Sequence, residues 1–398
     1  MATISKFDIE SDRNMKKNLV KKLAKITCLI TLLIFMSACT LFQPTSPGIG
    51  KAIEWDKVKG WQDDRHEEAW PALINNCLAL SKKRSWQEIC EAIPETETIT
   101  NETAKQFFET WFTPHLLHGE GGKSKGLITG YYEPLLFGSK TKSSRYQFPI
   151  YEEPDSLLTI ELGNLYPDLK GKRVRGLLNG KKVIPFYSRE EIESNRKLLA
   201  GHELLWLDDR DDVFFLQIQG SGRVQLDNGK IVAAGYSNQN GHPYVAIGKI
   251  LLERGELESD EISLFTIRQW LIDNPHQAEN LLNENPSYVF FILREDPDKG
   301  PIGSLNVPLT PERSIAIDPK LVDLGTPIWL ETNLPGKPDQ NYKRLVIAQD
   351  TGGAIRGPLR ADLFWGMGND AEQSAGIMKE QGSMIVLLPN SKQRTSTQ

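Results

Sequence analysis

The sequence predicts a mainly β protein, with helices before and between two β units. Residues 61–113 carry the spacing of apolar residues that is typical of helices. From Gly126 to about residue 250, the apolar runs are short and are separated by turn-forming residues, as between strands. The last hundred residues hold six more short apolar runs, a pattern typical of a small closed barrel.

The composition is that of a globular protein. The chain has 398 residues, of which 39% are hydrophobic and 25% charged, so a wholly disordered chain is excluded and two domains are expected. The net charge of −5 argues against nucleic acid as a partner, because such proteins usually need a clustered basic face. None of the four cysteines lies in a C-x-x-C pair, so no structural zinc site is expected.

The N-terminus is typical of an export signal. Five lysines between residues 16 and 25 precede Ile26–Met36, an uncharged run of 11 residues. This run is too short for a membrane-spanning helix but has the length of a signal-peptide core. Small residues and Cys39 follow, which resembles a bacterial lipobox and implies that Cys39 is lipidated. An ordinary signal peptide or an uncleaved anchor is the alternative, and translation starts at Met1 or at Met15.

The residues after the cysteine describe the exported chain. The residue directly after Cys39 is Thr40 and not Asp. In the lipoprotein sorting signals that this segment resembles, the absence of Asp implies delivery to the periplasmic face of the outer membrane. Removal of residues 1–38 leaves 40 basic and 49 acidic residues, a net charge of −9. Residues 39–60 include a stretch rich in Pro, Gly and Ser and are expected to form a tether.

A disulfide is predicted within the helical region. Cys77 and Cys90 lie in separate apolar patterns of helical spacing, and Lys82 to Arg84 mark a turn between them. In an oxidising compartment the two cysteines are expected to pair, which stabilises the fold by about 3 kcal/mol through loop entropy. Two free buried thiols are the alternative.

Cap and stop residues delimit the other elements. Asn101 or Thr103 is expected to cap a helix that Pro114 ends. Ser188 and Glu191 have the spacing of a capping box for another helix. The remaining predicted elements are a helical stretch over 245–282 and six strands at Leu305–Leu309, Ser314–Ile317, Pro327–Glu331, Leu345–Ala348, Leu363–Trp365 and Met384–Leu388.

The densest polar cluster lies between Asp350 and Gly366. Asp350 ends an apolar run, and Asp362 opens another run 12 residues later. Phe364 and Trp365 next to Asp362 are expected to shield a carboxyl from water and raise its pKa, which suits a general acid. A pair of solvated turn aspartates is the alternative.

Several other enzyme classes lack their motifs. Asp350-Thr351-Gly352 matches the triplet of aspartic proteases, but the second copy that such a site needs is absent. The sequence has no H-E-x-x-H, G-x-S-x-G or Walker A motif, which argues against zinc proteases, α/β-hydrolases and P-loop enzymes. No metal and no cofactor are expected.

Other polar and aromatic residues suit the binding of a sugar. Four polar residues that alternate in sequence are expected along a strand and its end, where they would bind hydroxyls and amides. They are Gln217, Gln219, Ser221 and Arg223. The polar face of a hairpin is the alternative. Tyr131, Tyr132 and Trp365 have rings that stack on pyranoses, although each also suits a core.

Together these motifs resemble the membrane-bound lytic murein transglycosylase A family. The matching strings are TGYYEP at 129–134, QGSG at 219–222, NGHPY at 240–244, NPSYVFF at 285–291 and the segment 350–366. The last segment resembles the 3D domain, named for three aspartates. These match Asp350, Asp362 and either Asp370 or Asp318.

The resemblance implies a two-domain architecture. The aspartates would belong to a double-psi β-barrel of residues 61–134 and 285–390, and residues 135–284 would form an inserted β domain. A groove between the domains would hold a glycan strand.

The resemblance also implies a reaction. The substrate would be the β-1,4 bond between N-acetylmuramic acid and N-acetylglucosamine in peptidoglycan, and the product would end in 1,6-anhydro-muramic acid. Such an enzyme is a carbon–oxygen lyase. Asp362 matches the catalytic position and would act as acid and then as base, with Asp350 in support. The expected substrate-binding residues are Tyr132, Gln219, Ser221, Gly222 and Trp365.

Two other classes of function stay open. The first is a non-catalytic peptidoglycan-binding lipoprotein, against which the retained Asp362 argues. The second is a glycoside hydrolase, which needs another carboxylate, such as a distant Glu133. The expected partners are glycan strands and the membrane, through the lipid. The chain is expected to be a monomer, and contacts with other wall enzymes stay open.

Overall fold

The computed structural model describes residues 47–94, 99–169, 172, 174–297 and 300–390. The predicted signal peptide, the lipidation site Cys39 and the first part of the tether lie outside these residues. Within the described ranges, no helix combines the length and the apolar character needed to cross a bilayer.

The described chain alternates between β strands and short helices. In chain order the strands are β1 Gly48–Ala52, β2 Phe112–His118, β3 Gly126–Glu133, β4 Leu135–Ser139, β5 Phe148–Tyr151, β6 Leu158–Ile160, β7 Val174–Asn179, β8 Lys182–Ile184, β9 Glu203–Leu207, β10 Ser221–Leu226, β11 Ile231–Gln239, β12 Val289–Arg294, β13 Ser314–Ala316, β14 Pro327–Leu334, β15 Lys337–Asp350, β16 Ala361–Met367 and β17 Lys379–Pro389. The α-helices are α1 Trp70–Leu80, α2 Gln87–Glu91, α3 Asn101–Trp111, α4 Arg189–Ser194, α5 Arg210–Gln219, α6 Ile247–Glu253, α7 Leu264–Asp273, α8 Pro275–Asn283 and α9 Asn369–Ile377. Single 3-10 turns lie at Trp55–Lys57, Trp61–Asp63, His66–Ala69, Glu120–Gly122, Pro167–Leu169 and Arg196–Leu199.

Six strands close into a barrel. Their order is β17-β14-β15-β13-β16-β3, and β3 pairs back onto β17 from Thr129↔Lys379 to Gly126↔Gly382. The pairs β13–β15 and β16–β3 are parallel, and β2 and β1 extend the sheet beyond β17. This closure confirms the predicted class, a mainly β fold with a small barrel and a second β unit.

Several barrel strands are buried on both faces. Along β15, Val346 and Ala348 join the interior cluster, whereas Leu345 and Ile347 join an outer cluster with the N-terminal helical region. That outer cluster includes the aromatic residues Trp61, Trp70, Trp86, Phe108 and Phe112. Because both faces of β15 meet apolar neighbours at residues 345–348, this part of the strand is a continuous apolar run rather than an alternating one.

A disulfide staples the helices that cover the barrel. Cys77 of α1 is bonded to Cys90 of α2, with their Cα atoms 5.5 Å apart, the pairing expected from the sequence. Helix α3 is capped by Thr100, not by Asn101 or Thr103, because the Thr100 hydroxyl accepts the N–H of Thr103. Pro114 lies within β2 rather than at the helix end.

The second β unit is a six-stranded sheet in the order β12-β11-β10-β4-β9-β5. Helix α5 covers it: Val213 and Leu216 join the apolar residues of the sheet, and Phe214 packs against the cluster of α6 to α8. Strands β6, β7 and β8 form a separate small sheet.

Helix α5 replaces a predicted strand. Asp209 caps it by accepting the N–H groups of Asp211 and Asp212, and Gly220 ends it with a left-handed φ of 79°. Gln217 and Gln219 therefore lie on a helix, and only Ser221 and Arg223 lie on a strand. The alternating polar residues span a helix–strand junction, which explains why their spacing misled.

Five of the six predicted C-terminal strands form. The segment Leu305–Leu309 is a loop instead, in which Asn306 adopts a φ of 63° and only an isolated bridge joins Ile302 to Pro308. The sixth barrel strand is β3, far away in sequence.

Two domain limits also differ from the expectation. Residues 48–52 were expected in the tether but form β1, whose backbone pairs with β2. Strand β12 pairs with β11, and Phe290 and Phe291 enter the cores of the inserted unit. The chain therefore returns to the barrel after β12, and not at residue 285.

A buried ion pair fixes the N-terminal segment to the barrel. The guanidinium of Arg313, which is 1% exposed, donates to both carboxylate oxygens of Asp64 at 2.8 and 3.0 Å and to Glu68 at 2.7 Å. The backbone N–H of Leu345 donates to Asp64 as well, at 2.9 Å. Burial acts to raise the pKa of Asp64. The hydrogen bonds and the charge of Arg313 have a larger combined effect and leave this pKa below its usual value.

We predict that Asp64→Ala lowers the free energy of unfolding by about 3–5 kcal/mol, because the buried Arg313 loses its buried, bidentate partner and keeps only the partly exposed Glu68. Urea unfolding at neutral pH measures this loss.

The same ion pair makes stability depend on pH. Because the pKa of Asp64 is depressed in the fold, the stability that Asp64 contributes is present above its unfolded-state pKa and is lost as the pH falls through its folded-state pKa. The penalty should therefore shrink in acid. Asp63→Ala, at an exposed neighbour, is the control and should change stability by less than about 0.5 kcal/mol. An equal effect of both variants would contradict the prediction.

Candidate active site

Asp362 lies on β16 directly beside β3. The two strands run parallel with Asp362 opposite Thr129, and the Thr129 hydroxyl donates to Asp362 Oδ1 at 2.6 Å. Burial raises the pKa of Asp362 above its usual value, and the negative charge of Asp350 adds to this. The charge of Arg360 and the Thr129 hydrogen bond act in the opposite direction. The carboxyl of Asp362 therefore keeps its proton to a higher pH than an exposed aspartate does.

Asp350 ends β15 and is held by four donors. Its Oδ1 accepts from the backbone and hydroxyl of Ser304 at 2.9 and 2.8 Å and from the N–H of Thr351 at 2.8 Å. Its Oδ2 accepts from the Tyr131 hydroxyl at 2.9 Å. Burial raises the pKa of Asp350 above its usual value, and these hydrogen bonds act in the opposite direction. Because Asp362 accepts one such bond from the described residues, Asp350 is the better carboxylate and Asp362 the better acid.

An aromatic layer lies next to the two carboxyls. The rings of Tyr131 and Phe364 lie 5.3 Å apart and pack with Leu309, Ala316 and Ile355. Burial raises the pKa of Tyr131 well above its usual value, so this residue remains a proton donor to Asp350. Phe364 thus has the shielding position that the sequence suggested, and Tyr131 is a positioning residue instead of a stacking platform.

The structure distinguishes the two candidates for a third aspartate. Asp318 is 7% exposed, and its carboxylate accepts the backbone N–H of Gly357 at 2.9 Å, within the loop that joins Asp350 to Asp362. Asp370 is exposed in the first turn of α9. Asp318 is therefore the one that supports the site.

The inserted domain contributes Tyr244, which the sequence analysis did not single out. Burial and then the charge of Asp362 raise the pKa of Tyr244, so its ring lies within electrostatic reach of the acid. A Cβ placed on Gly353 would lie 3.7 Å from the Tyr244 side chain, so the glycine turn between the aspartates faces this domain. The Asn-Gly-His-Pro turn before it was the signal available in the sequence.

Asn240 fixes the loop that carries Tyr244. Its amide nitrogen donates to the carbonyls of Tyr187 and Pro286, both at 2.8 Å, and its amide oxygen accepts from the N–H of Tyr288 at 2.9 Å. Asn240 is 1% exposed, so it acts as an internal support and not as a ligand for sugar.

Tyr132 and Trp365, two of the residues predicted to bind substrate, pack within the fold, which is the alternative that the sequence left open. Tyr132 is only 3% exposed, and its hydroxyl donates to Glu372 at 2.9 Å. The indole N–H of Trp365 points to the sulfur of Met378 at 3.2 Å, and the ring fills the space that Gly130 leaves open. Both aromatic rings pack between the barrel and α9, because the strand alternation turns them away from the carboxyls.

The polar residues that were predicted to bind substrate also contact other parts of the fold. The Gln219 side chain accepts the backbone N–H of Tyr132 at 3.1 Å and so joins the two domains. Ser221 and Gly222 are buried, and a Cβ on Gly222 would lie 2.5 Å from Leu216. Binding of substrate by these three residues stays a prediction.

Glu133, the candidate second carboxylate, is engaged elsewhere. It is 1% exposed and accepts from the guanidinium of Arg223 at 3.0 Å. It lies four residues beyond Thr129 on β3, about 13 Å along the strand at 3.3 Å per residue. Glu133 is thus poorly placed to assist Asp362. Among the described residues, no group of three or more His, Cys, Asp or Glu is arranged to hold a metal ion.

Family comparisons agree with this architecture. The family model of the MltA specific insert domain matches residues 127–292, and that of the 3D domain matches residues 313–388. The membrane-bound lytic murein transglycosylase A of Vibrio cholerae is 32% identical over 281 residues, which are 68% of each chain. The chain spans about two thirds of the length of the curated relatives it matches.

Two solved structures extend the likeness over most of the chain. The lytic transglycosylase LtgG of Burkholderia pseudomallei is 41% identical, with a TM-score of 0.57 over 88% of this chain and 97% of that one. Escherichia coli MltA with bound chitohexaose is 25% identical, with a TM-score of 0.64 over 88% and 98%. A closed barrel with paired carboxyls and an inserted β domain defines a lytic transglycosylase fold. The chain belongs to the membrane-bound lytic murein transglycosylase A family.

We predict that Thr129→Val lowers kcat by about 10–100-fold, because the Asp362 carboxyl loses the bond that fixes its orientation. The same loss removes a bond that favours the carboxylate, so the pKa of Asp362 rises. Because the acid must be protonated, the fall of activity at high pH should move to higher pH. Thr129→Ser keeps the hydroxyl and should restore both properties.

The matched control for this pH shift is Asp350→Asn. It removes a negative charge that raises the pKa of Asp362, so the high-pH fall should move to lower pH. Initial rates on purified peptidoglycan across pH measure both variants. Shifts in the same direction would contradict the assignment of Asp362 as the titrating acid.

Proposed function

We propose that this protein is a peptidoglycan lytic transglycosylase that cleaves the β-1,4 bond between N-acetylmuramic acid and N-acetylglucosamine. The observation that carries this proposal is a single protonatable carboxyl, Asp362, whose carboxyl neighbour Asp350 is already held by four donors. A hydrolase of the usual kind needs a second free carboxylate to attack the sugar or to activate water. A reaction that uses the sugar's own hydroxyl needs only one.

The proposed reaction uses Asp362 twice. Its Oδ1 is engaged by Thr129, so Oδ2 is the oxygen that carries the proton. The acid protonates the glycosidic oxygen as the bond from the anomeric carbon to that oxygen breaks. The resulting carboxylate then takes the proton of the muramic acid C6 hydroxyl, whose oxygen bonds to the anomeric carbon. Asp362 ends protonated, and the product has a 1,6-anhydro end.

Asp350 supports this cycle electrostatically. Its charge raises the pKa of Asp362 before the first proton transfer, and the same negative charge stabilises the positive charge that develops on the sugar ring. The four hydrogen bonds that Asp350 accepts keep it from competing with Asp362 for the proton. Loss of Asp350 is therefore expected to slow both halves of the reaction.

The substrate groove is proposed between the barrel and the inserted domain, where Gly353 faces Tyr244. Support comes from the E. coli relative, which was solved with chitohexaose, an oligosaccharide. Glycan strands are the proposed partner. We propose that the chain acts on these strands as a monomer.

We also propose that the protein is attached to the periplasmic face of the outer membrane through a lipid on Cys39. The relatives are named membrane-bound, which supports a membrane location. The described body begins at Pro47, eight residues after Cys39, which fits a short tether.

We predict that Asp362→Asn lowers the release of anhydro-muropeptides by about 10²–10⁴-fold, because it removes the general acid and base. Mass spectrometry of digested purified peptidoglycan measures the product ends. Asp370→Asn, which changes an exposed aspartate in the first turn of α9, is the control and should retain activity. Reducing ends in place of anhydro ends would indicate a hydrolase, and no release by the unaltered protein would indicate a binding protein.

We predict that Cys39→Ala moves the protein into the soluble fraction after a wash at high salt, because the lipid is lost. Cell fractionation with immunoblotting measures this change, and Cys28→Ala in the leader is the control that should stay in the membrane. Membrane retention of the Cys39 variant after the wash would contradict the lipid anchor.

A further inference from the structure

The small sheet of β6, β7 and β8 exposes an unusual amount of apolar surface. Cross-strand partners share a face of a sheet, and Leu178 lies opposite Val183 in the pairing of β7 with β8. These two side chains are 62% and 46% exposed. In the loop after β6, Leu165 is 70% and Tyr166 is 53% exposed. Exposed apolar side chains that share one face of a sheet mark an interaction site.

The apolar residues lie on the outer face of this sheet. Leu177, which points the opposite way to Leu178, packs against the core cluster of Tyr151, Phe186 and Tyr288. Leu177 on one face of the sheet therefore packs against the body, and the opposite face carries exposed apolar side chains. By the register of the strands, Val174, Leu178 and Val183 share this outer face, and we call these three residues the apolar face.

The segment of the chain that carries the apolar face is basic. Residues 158–184 contain six Lys and Arg but only two acidic residues, Glu161 and Asp168, in a chain whose net charge is −5. Lys172, Lys181 and Lys182 are exposed and form no ion pair with a described residue. Aliphatic side chains, a tyrosine and lysines are together typical of a surface that sits at an anionic bilayer interface.

We infer that the apolar face docks on the anionic lipid surface of the membrane to which the protein is tethered. Charge favours this occupant over a second copy of the chain, because a symmetric contact would bring the lysines of the two copies together. Length favours it as well: the eight residues from Cys39 to Pro47 reach at most about 28 Å, which keeps the body beside the bilayer. This last step rests on the proposed lipid anchor, which the Cys39 variant tests separately.

Docking would give the enzyme an orientation as well as a location. Strand β7 lies against the loop before Tyr244, since a Cβ on Gly241 would be 2.8 Å from that of Arg175. A sheet fixed at the membrane surface would therefore set the direction in which the groove faces the wall. A lipid tether alone leaves that direction free.

The experiment uses the full chain reconstituted into vesicles and labelled with a nitroxide at Leu178→Cys. The matched control is Ile272→Cys, on α7, whose side chain is 66% exposed. The unsubstituted chain gives the background label. Collisions with oxygen report a lipid environment, and collisions with a water-soluble nickel chelate report solvent. The vesicles contain phosphatidylethanolamine and phosphatidylglycerol, or phosphatidylcholine alone.

We expect the label at 178 to collide mainly with oxygen in the anionic vesicles and mainly with nickel in phosphatidylcholine, and the label at 272 to collide mainly with nickel in both. Adding Lys181→Gln and Lys182→Gln should lower the ratio of lipid-exposed to water-exposed label about 30-fold, since each lysine near an anionic surface contributes about fivefold. Solvent exposure at 178 in both vesicles overturns the inference. Spin–spin broadening at 178 that does not depend on lipid also overturns it, in favour of a second copy.

Discussion

Strand β3 is the element on which the rest of the structure depends. It closes the barrel by pairing with both β16 and β17, and it leads directly into the inserted domain. Its alternating side chains serve different partners: Thr129 and Tyr131 donate to the two site carboxyls, whereas Tyr132 bonds to α9. Barrel closure, carboxyl geometry and domain placement therefore cannot be varied independently. A shift of one residue in this strand would remove both donors from the carboxyls.

The chemistry follows from unequal hydrogen bonding of two similar groups. Both carboxyls are partly buried, which raises the pKa of each, but Asp350 has four donors and Asp362 has one among the described residues. The loop around Ser304 supplies two of the donors to Asp350. The fold thus keeps the negative charge of Asp350 beside Asp362, and this charge raises the pKa of Asp362.

The barrel strands and the two aspartates could be predicted because each depends on local sequence: short apolar runs, turn residues, and carboxyls at strand ends. The donors could not, because Thr129 meets Asp362 across 233 residues. The packing of Tyr132 and Trp365 against α9 could not be predicted, because composition does not reveal which face of a strand is buried. Helix α5 was missed because its polar residues continue the alternation of the strand that follows.

The central claim is that Asp362, and not Asp350, holds the proton at the pH of catalysis. The most direct measurement is an NMR titration of the protein with ¹³C-labelled aspartate carboxyls, assigned through Asp350→Asn and Asp362→Asn. We expect the Asp362 signal to titrate above the usual range of aspartate and above the signal of Asp350. Protonation of Asp350 before Asp362 as the pH is lowered would contradict it.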